Sequence, residues 1–233
     1  LMEIDSDIII VGGGLNGSLL AIAAAKIGFS TIVLDSKGNH GDELNSFDGR
    51  SYALAASSVR LLKNLDIFED IRNYSQPILD IEILDGKLVQ GPSQFSLHFD
   101  NNEIHNGPMG YMVEDRFIQK TLFAQILATN QIDYKFDSKV TEHYQQGSYI
   151  SVQLDDGQKL RTRLVVGADG RNSNIAKRAK IKKSGWRYKQ NALVCAIEHE
   201  IDHKGLAWQY FLPNGPLAIL PMTGNRSSIV WTE

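Results

Sequence analysis

The chain begins with three apolar segments separated by glycine and polar residues. Residues 8–11 are a short β-branched run, residues 15–27 are an apolar stretch of helical length, and residues 31–34 are a second β-branched run. Unbroken runs of this kind are typical of strands that are buried on both faces of a sheet. The pattern therefore predicts a strand, a glycine turn, a helix and a second strand.

The hydrophobic pattern is less regular after this segment. Residues 36–50 are polar and rich in turn residues, which predicts a loop. A helix is expected from about residue 51, with an apolar side formed by Leu54, Val59, Leu61, Leu62 and Leu65. Strand-like segments at residues 78–84 and 95–99 are separated by Gly, Pro and Asn, and they indicate the start of a separate antiparallel sheet.

Strand patterns dominate the middle of the chain. A strand at residues 111–113 precedes an amphipathic helix at residues 116–129, whose buried side is expected to contain Phe117, Leu122, Ile126 and Leu127. Three further strands are predicted at residues 132–136, 149–154 and 159–166. Residues 155–157 form the hairpin turn between the last two.

Composition and charge exclude several classes of function. The 233 residues are 42% hydrophobic and 22% charged, as is ordinary for a globular protein. A formal net charge of -3 gives no electrostatic case for nucleic-acid binding, and the basic run at residues 177–183 is interpreted as a solvated helix end. The single cysteine, Cys195, excludes a disulfide framework and suits a reducing cytoplasm, so a cytoplasmic location is expected.

The uncharged stretch at residues 8–25 is not interpreted as a membrane span or a signal peptide. Consecutive glycines and Asn16 interrupt it, and Glu3, Asp5 and Asp7 are acidic where a signal peptide needs basic residues. It is assigned instead to the first strand and helix.

The glycine turn is the first candidate site. Gly12, Gly14 and Gly17 have the G-x-G-x-x-G spacing that places the pyrophosphate of a dinucleotide at a helix N-terminus. Gly12 permits the tight turn, Gly14 lets the backbone approach the phosphates, and Gly17 lets the helix pack on the strand. Leu15 and Asn16 lie within the same turn. The motif by itself does not distinguish FAD from NAD.

Two acidic residues extend this site. Asp35 ends the second strand, 18 residues after Gly17, which suits a carboxylate that binds a ribose hydroxyl and favours a ribose without a 2′-phosphate. Asp169 and Gly170 follow the strand predicted at residues 159–166, at the carboxyl end where ligands of open α/β sheets bind.

A third candidate residue stands at the entrance of the helix expected from residue 51. The planar guanidinium of Arg50 suits phosphate oxygens, and a surface arginine at the end of a loop is the alternative.

Four separated motifs resemble those of one family. They are the glycine motif, GADGRNS at residues 167–173, FDGR followed by YALA at residues 47–55, and GPLAILPM followed by SIVW at residues 215–231. Together they resemble the FAD-dependent aromatic hydroxylases of the para-hydroxybenzoate hydroxylase type. They are most similar to the ubiquinone-biosynthesis hydroxylases, in particular the 2-polyprenyl-6-methoxyphenol hydroxylase branch, with hydroxylases of other ring positions as the alternative.

The resemblance implies an α/β fold with two domains. One is a discontinuous, Rossmann-like FAD-binding domain of the GR2 type, formed by residues 1–75 and 111–185. The other is an inserted antiparallel β-sheet that binds substrate, incomplete here and formed by residues 76–110 and 186–233.

The resemblance also implies an activity, in which a polyprenyl phenol is hydroxylated on its ring through a flavin C4a-hydroperoxide. Its requirements are FAD, molecular oxygen, and a reduced nicotinamide nucleotide or another electron donor. In this family the position of Arg50 contacts FAD, and the position of Asp169 approaches the flavin ribose and pyrophosphate. Because the substrate lives in the bilayer, we expect peripheral association with the inner face of the membrane or with other quinone-pathway enzymes. No catalytic residue is assigned.

The sequence departs from the family at three places. The third family fingerprint, a G-D-A-A-H-like segment, is absent, and Gly41 and Asp42 lie in a different context. The sequence also stops directly after a predicted strand, so we expect an amino-terminal part of a longer enzyme that is inactive alone. Asp35 stands where many relatives have glutamate.

Other functions compete with hydroxylation. A nicotinamide-dependent dehydrogenase would share the glycine motif, but the segments around Arg50 and Asp169 are foreign to its signature. A flavin-binding redox or interaction module is a further alternative. Residues 199–203 spell the zinc-protease motif H-E-x-x-H, which requires a helix. They follow a strand pattern here, so we interpret them as a solvated hairpin and predict no metal site.

The last part of the chain supplies a candidate substrate wall. From residue 191, apolar side chains alternate with the period of two that predicts a strand. Gln209, Phe211, Leu220 and Met222 alternate along the strands that follow. Leu220 and Met222 indicate an apolar lining that suits a polyprenyl phenol, with ordinary core packing as the alternative.

Overall fold

The computed structural model describes residues 4–38, 46–87, 91–104 and 107–233. The chain forms two compact units, Leu1–Asn45 with Gln119–Gly185 and Ser46–Ile118 with Trp186–Glu233, called the first and second unit below. Residues 46–75 and 111–118 thus belong to the second unit by compactness, whereas the sequence analysis assigned them to the FAD-binding domain. The assignment of domains by ligand stays a prediction. Gly41 and Asp42 lie outside the described residues.

The elements in chain order begin with the following: β1 (Ser6–Val11), α1 (Leu15–Lys26), β2 (Thr31–Leu34), β3 (Ser51–Ala55), α2 (Ala56–Asn64), α3 (Phe68–Arg72), β4 (Ser75–Ile78), β5 (Asp80–Lys87), β6 (Gly91–Asp100), α4 (Asn101–Ile104) and β7 (Gly110–Glu114). The remaining elements are α5 (Asp115–Leu127), β8 (Ile132–Lys135), β9 (Val140–Gln146), β10 (Tyr149–Leu154), β11 (Lys159–Gly167), α6 (Asn174–Arg178), β12 (Ala192–Glu198), β13 (Leu206–Leu212), β14 (Gly215–Met222) and β15 (Arg226–Thr232).

The first unit is built on a six-stranded sheet with the order β8-β2-β1-β11-β10-β9. The strands from β8 to β11 are parallel, and β10 and β9 continue the sheet in antiparallel pairing. Ile9 belongs to the core on one face of β1, and Ile10 packs with Ala21 of α1 on the other. Burial on both faces explains why β1 is an unbroken apolar run, as the sequence predicted.

The second unit contains a six-stranded sheet, β12-β15-β14-β13-β5-β6, and a three-stranded sheet, β3-β7-β4. A cluster of Ile78, Met112 and Ala207, with Leu220 packed against it, joins the two sheets into one core. The larger sheet is antiparallel except for the pair β5 and β13, which is parallel. The antiparallel sheet expected from residues 78–99 is therefore a mixed one.

Two predictions about helices were wrong in detail. Residues 51–55 form β3, paired with β7, and the helix begins only at Ala56. Leu61 and Leu127, expected on buried helix faces, are 48% and 65% exposed. The buried side of α5 is formed by Ile118, Leu122 and Ile126, which recur every four residues, so Leu127 falls outside that stripe.

The uncharged stretch at residues 8–25 is divided between β1 and α1, as predicted. None of the helices in the described part of the chain has the length and apolar character needed to cross a bilayer.

Candidate functional site

Three glycines shape the turn between β1 and α1. Gly12 has a φ of +107°, and a Cβ there would overlap with the carbonyl oxygen of Ala168. A Cβ at Gly17 would overlap with the carbonyl oxygen of Gly12, so this glycine lets α1 pack on the strand. Gly14 differs, because its φ of -68° suits any residue and a Cβ would meet no atom within 4 Å. The space beside Gly14 is therefore open to a ligand.

The N-terminus of α1 faces this turn without a side-chain cap. Gly14 is the N-cap residue and offers no side chain, and the first turn of α1 contains no acidic residue. Leu15 and Asn16 are the first two residues of the helix. The N–H groups of a first helical turn have no partner within their helix, and the helix dipole favours negative charge there. The turn is thus suited to bind a phosphate group.

Asp35 lies at the end of β2 and is held by two neutral donors. The hydroxyl of Tyr134 on β8 donates to Asp35 Oδ2 at 2.8 Å, and the backbone N–H of Lys37 donates to Oδ1 at 3.0 Å. A Cβ at Gly13 would overlap with the Tyr134 hydroxyl, so the middle glycine of the three makes room for this contact. The contact of Tyr134 with Asp35 was not predicted from the sequence. The three consecutive glycines indicate that some group packs closely against the turn, but they do not indicate which one.

Asp169 follows β11 and binds the start of α6. Its Oδ2 accepts hydrogen bonds from the backbone N–H groups of Asn174 at 2.7 Å and Ile175 at 3.2 Å. Burial favours the neutral acid, but hydrogen bonds from Ser173 and these N–H groups outweigh it, and the pKa of Asp169 lies below its usual value. Its Oδ1 is buried and has no hydrogen-bond partner among the described residues. A buried carboxylate oxygen of this kind calls for a donor that a ligand can supply.

The parallel strands bring these groups to one edge of the first unit's sheet. β2, β1 and β11 are adjacent, and Asp35, Gly12 and Asp169 follow their carboxyl ends. Gly170, with a φ of +82°, continues the turn after Asp169. This is the edge at which open α/β sheets bind ligands. The arrangement offers an anion site between two carboxylates, which suits a dinucleotide with a central pyrophosphate and ribose hydroxyls.

Arg50 belongs to the second unit, where two carboxylates hold it. Its Nη2 lies 2.6 Å from Asp48 Oδ2 and 3.0 Å from Asp115 Oδ2. The hydrogen bond to Asp48 is the main cause that raises the pKa of Arg50, and the charge of Asp115 adds to it. The side chain remains more than half exposed, so the guanidinium is fixed in position by its two carboxylates while part of it faces solvent.

A second ionic cluster in this unit was missed by the sequence analysis. Glu114, at the end of β7, is 1% exposed. Its two oxygens each lie 2.7 Å from an arginine, Arg116 and Arg226. The ring of Phe47 lies within 6 Å of both guanidinium groups, at 5.9 and 5.8 Å. The two arginines thus offset the cost of burying the Glu114 carboxylate with opposite charge and hydrogen bonds.

The four candidate substrate-wall residues differ in exposure. Gln209 and Ala218 are paired across β13 and β14, as are Phe211 and Pro216, so Gln209 and Phe211 share a face. Phe211 is 53% exposed, whereas Met222 is 2% exposed. Met222 lies in the core, and Leu220 packs against the cluster that joins the two sheets. All four residues stay predictions for contact with substrate.

The H-E-x-x-H segment connects β12 to β13 and contains no helix. These strands are not neighbours in the sheet, so the connection is not the hairpin that was expected. His203 Nδ1 accepts from the N–H of Gly205, so its Nε2 donates to the carbonyl of Met222 at 2.8 Å, which gives this ring a structural role. In the described ranges no three His, Cys, Asp or Glu residues are grouped as metal ligands would be.

Comparison with known proteins identifies curated relatives over almost the whole chain. The ubiquinone hydroxylase UbiL of Rhodospirillum rubrum is 41% identical over 228 residues, 98% of this chain and 52% of the relative. The 3-demethoxyubiquinol 3-hydroxylase of Escherichia coli is 30% identical over 234 residues, 98% of this chain and 57% of the relative. The chain therefore spans about half the length of the curated relatives it matches.

Solved structures confirm the predicted fold class. The crystal structure of pqsL, a probable FAD-dependent monooxygenase from Pseudomonas aeruginosa, superposes with a TM-score of 0.81 at 18% identity. It covers 97% of this chain and 60% of that chain. At this identity the match shows the fold alone.

A family model identifies the cofactor of this chain. A model described as FAD binding domain matches residues 5–232. The open space at Gly14 and the buried, unpartnered Oδ1 of Asp169 fit such a dinucleotide. The resemblance inferred from the four motifs is confirmed. With its glycine turn, two flanking carboxylates and matching family model, the chain belongs to the FAD binding domain family, and FAD is its cofactor.

Proposed function

We propose that the protein acts as an FAD-dependent monooxygenase that hydroxylates the aromatic ring of a polyprenyl phenol in ubiquinone biosynthesis. The observation that carries the proposal is the 41% identity to a ubiquinone hydroxylase over 98% of the chain. A second relative, matched over the same share of this chain, is a 3-demethoxyubiquinol 3-hydroxylase.

In this proposal the first unit holds FAD. The backbone around Gly14 and the first turn of α1 bind the pyrophosphate, with Leu15 and Asn16 contributing their N–H groups. Asp35 accepts from a ribose hydroxyl, and the free Oδ1 of Asp169 accepts from a hydroxyl or N–H of the cofactor. Arg50, whose position contacts FAD in the resembled family, is proposed as a further cofactor-binding residue. Bound and reduced FAD supplies the activation of oxygen, with a reduced nicotinamide nucleotide or another donor as the source of electrons.

The second unit would present the substrate wall. Gln209 and Phe211 lie on one face of its larger sheet, where Phe211 gives apolar area and Gln209 an amide. Leu220 and Met222 are proposed for the apolar lining of the same wall. An apolar wall suits a polyprenyl phenol and limits the access of water during oxygen transfer. Because such a substrate resides in the bilayer, we propose that the enzyme works at the inner face of the membrane, alongside other quinone-pathway enzymes.

The test uses the full-length protein, titrated with FAD and separately with NADH while the visible spectrum is recorded. We expect stoichiometric FAD binding and an oxygen-dependent hydroxylated product from a polyprenyl phenol. NADH binding without FAD would instead support a dehydrogenase. FAD binding without product would support a redox module, and turnover of only small, carboxylated phenols would support another aromatic hydroxylase.

A further inference from the structure

Tyr134 lies outside the sequence motifs that are assigned to the cofactor. It lies on β8, the strand next to β2, and its hydroxyl donates to Asp35 Oδ2 at 2.8 Å. The carbonyl oxygen of Gly13 is 3.4 Å from the same hydroxyl. The tyrosine therefore links the glycine turn to the carboxylate at the end of β2.

The ring of Tyr134 is itself held in place. Its centroid lies 4.7 Å from that of Phe136 and 5.9 Å from that of Phe123, which approaches edge-on. The missing side chain at Gly13 leaves the space that the hydroxyl fills. Burial, followed by the hydrogen bond and charge of Asp35, raises the pKa of Tyr134, so the hydroxyl stays protonated and acts as a donor at neutral pH.

The two groups that donate hydrogen bonds to Asp35 are uncharged. In the part of the chain that the structure describes, no ion pair to Asp35 is formed. The Tyr134 hydroxyl and the Lys37 N–H fix both oxygens without cancelling the charge. A carboxylate has about four lone-pair sites, so Asp35 retains acceptor capacity for hydroxyl groups.

We propose that Tyr134 is a positioning residue that acts through Asp35 and makes the site selective for nucleotides with a free ribose 2′-hydroxyl. The inference rests on the proposed function, because it takes the ligand to be the adenosine end of FAD. Removal of the tyrosine hydroxyl leaves the Lys37 N–H as the one described donor that holds the carboxylate, so the orientation of Oδ2 is less defined and the hydrogen bond between Asp35 and the ribose weakens.

The experiment measures binding of ADP, 2′-deoxy-ADP and FAD to the full-length apoprotein by calorimetry. The variants are Tyr134→Phe, Asp35→Asn and the double variant. Tyr144→Phe is the matched control, because Tyr144 is exposed on β9 at the opposite edge of the same sheet. We expect Tyr134→Phe to weaken ADP binding about 5-fold, the value of one hydrogen bond, and to change 2′-deoxy-ADP binding less than about 2-fold.

The double variant separates positioning from a structural role. We expect Tyr134→Phe to have less than about a 2-fold effect on ADP binding when Asp35 is already Asn, since both changes act on the same hydrogen bond to the ribose. Equal weakening of ADP and 2′-deoxy-ADP, or additive effects of the two substitutions, would overturn the inference while FAD binding stands. If the wild-type protein binds neither FAD nor ADP, the proposed function fails and the inference fails with it.

Discussion

Carboxylates stand at strand ends in both units, but they are bonded to different partners. In the first unit, Asp35 and Asp169 accept hydrogen bonds from a hydroxyl and from backbone N–H groups. In the second unit, Glu114 and Asp115 are buried and bonded to arginines. Neutral donors fix the geometry of a carboxylate without cancelling its charge, whereas arginines cancel it. Asp35 and Asp169 are therefore available to a ligand, whereas Glu114 and Asp115 hold the arginines in position.

The arginines around Glu114 in the second unit are held in fixed positions. Glu114 fixes Arg116 and Arg226 on either side of one carboxylate, and Phe47 lies against both. Such fixed guanidinium groups lose little entropy when they meet an anion. Glu114 is thus a structural residue whose removal should affect folding before it affects binding.

The largest expected effect is the loss of this buried carboxylate. Glu114→Ala removes the buried carboxylate that Arg116 and Arg226 share, and breaking such a pair costs about 3 kcal/mol of unfolding free energy. Urea denaturation measures the change. The control is Glu69→Ala, which removes an exposed ion pair to Arg72 and should cost less than about 0.5 kcal/mol. Equal losses of unfolding free energy in the two variants would show that the ion pairs of Glu114 stabilise the fold no more than an exposed ion pair does.

A smaller effect separates two glycines of the first unit. Gly17→Ala places a methyl group against the Gly12 carbonyl and should cost about 2 kcal/mol of unfolding free energy. Gly14→Ala meets no atom and should change the unfolding free energy by less than about 0.5 kcal/mol. Its methyl group fills the proposed pyrophosphate space, so FAD binding should fall by at least about 10-fold, as spectral titration would measure. Unchanged FAD affinity in Gly14→Ala would contradict the proposed site.

The sequence predicted the first unit well because its signals are local. β1, α1 and β2 appear within a residue or two of their expected ends, since burial on both faces leaves an uninterrupted apolar run. The glycine spacing and the acid at the end of β2 lie within the same short segment. Gly12 and Gly17 have the close backbone contacts that a tight turn and helix packing require, and Gly14 stays a prediction for contact with phosphate.

The remaining features depend on distant partners and could not be predicted. Tyr134 meets Asp35 across 99 residues, and Arg226 meets Glu114 across 112. Residues 51–55 have the composition of a helix, yet pairing with β7 makes them a strand. In each case a non-local contact overrides or adds to what the neighbouring residues specify.

The smallest expected effect is the loss of the negative charge of Asp169. Asp169→Asn keeps an acceptor for the N–H groups of Asn174 and Ile175 but loses the charge, so it should cost about 1 kcal/mol of unfolding free energy at pH 7. Because the pKa of Asp169 is lowered on folding, its contribution is present above the usual aspartate pKa of about 3.9 and is lost as the pH falls through the folded-state value.

Urea unfolding of the protein without added FAD, from pH 7 to pH 3, measures this contribution. The wild-type protein should lose its advantage over Asp169→Asn as the pH falls below about 4. Asp156→Asn, in the hairpin turn before β11, controls for the loss of an exposed aspartate that bonds one backbone N–H. A difference between wild type and Asp169→Asn that stays constant down to pH 3 would mean that the charge of Asp169 does not stabilise the fold. The contrast between the two units would then rest on Asp35 alone.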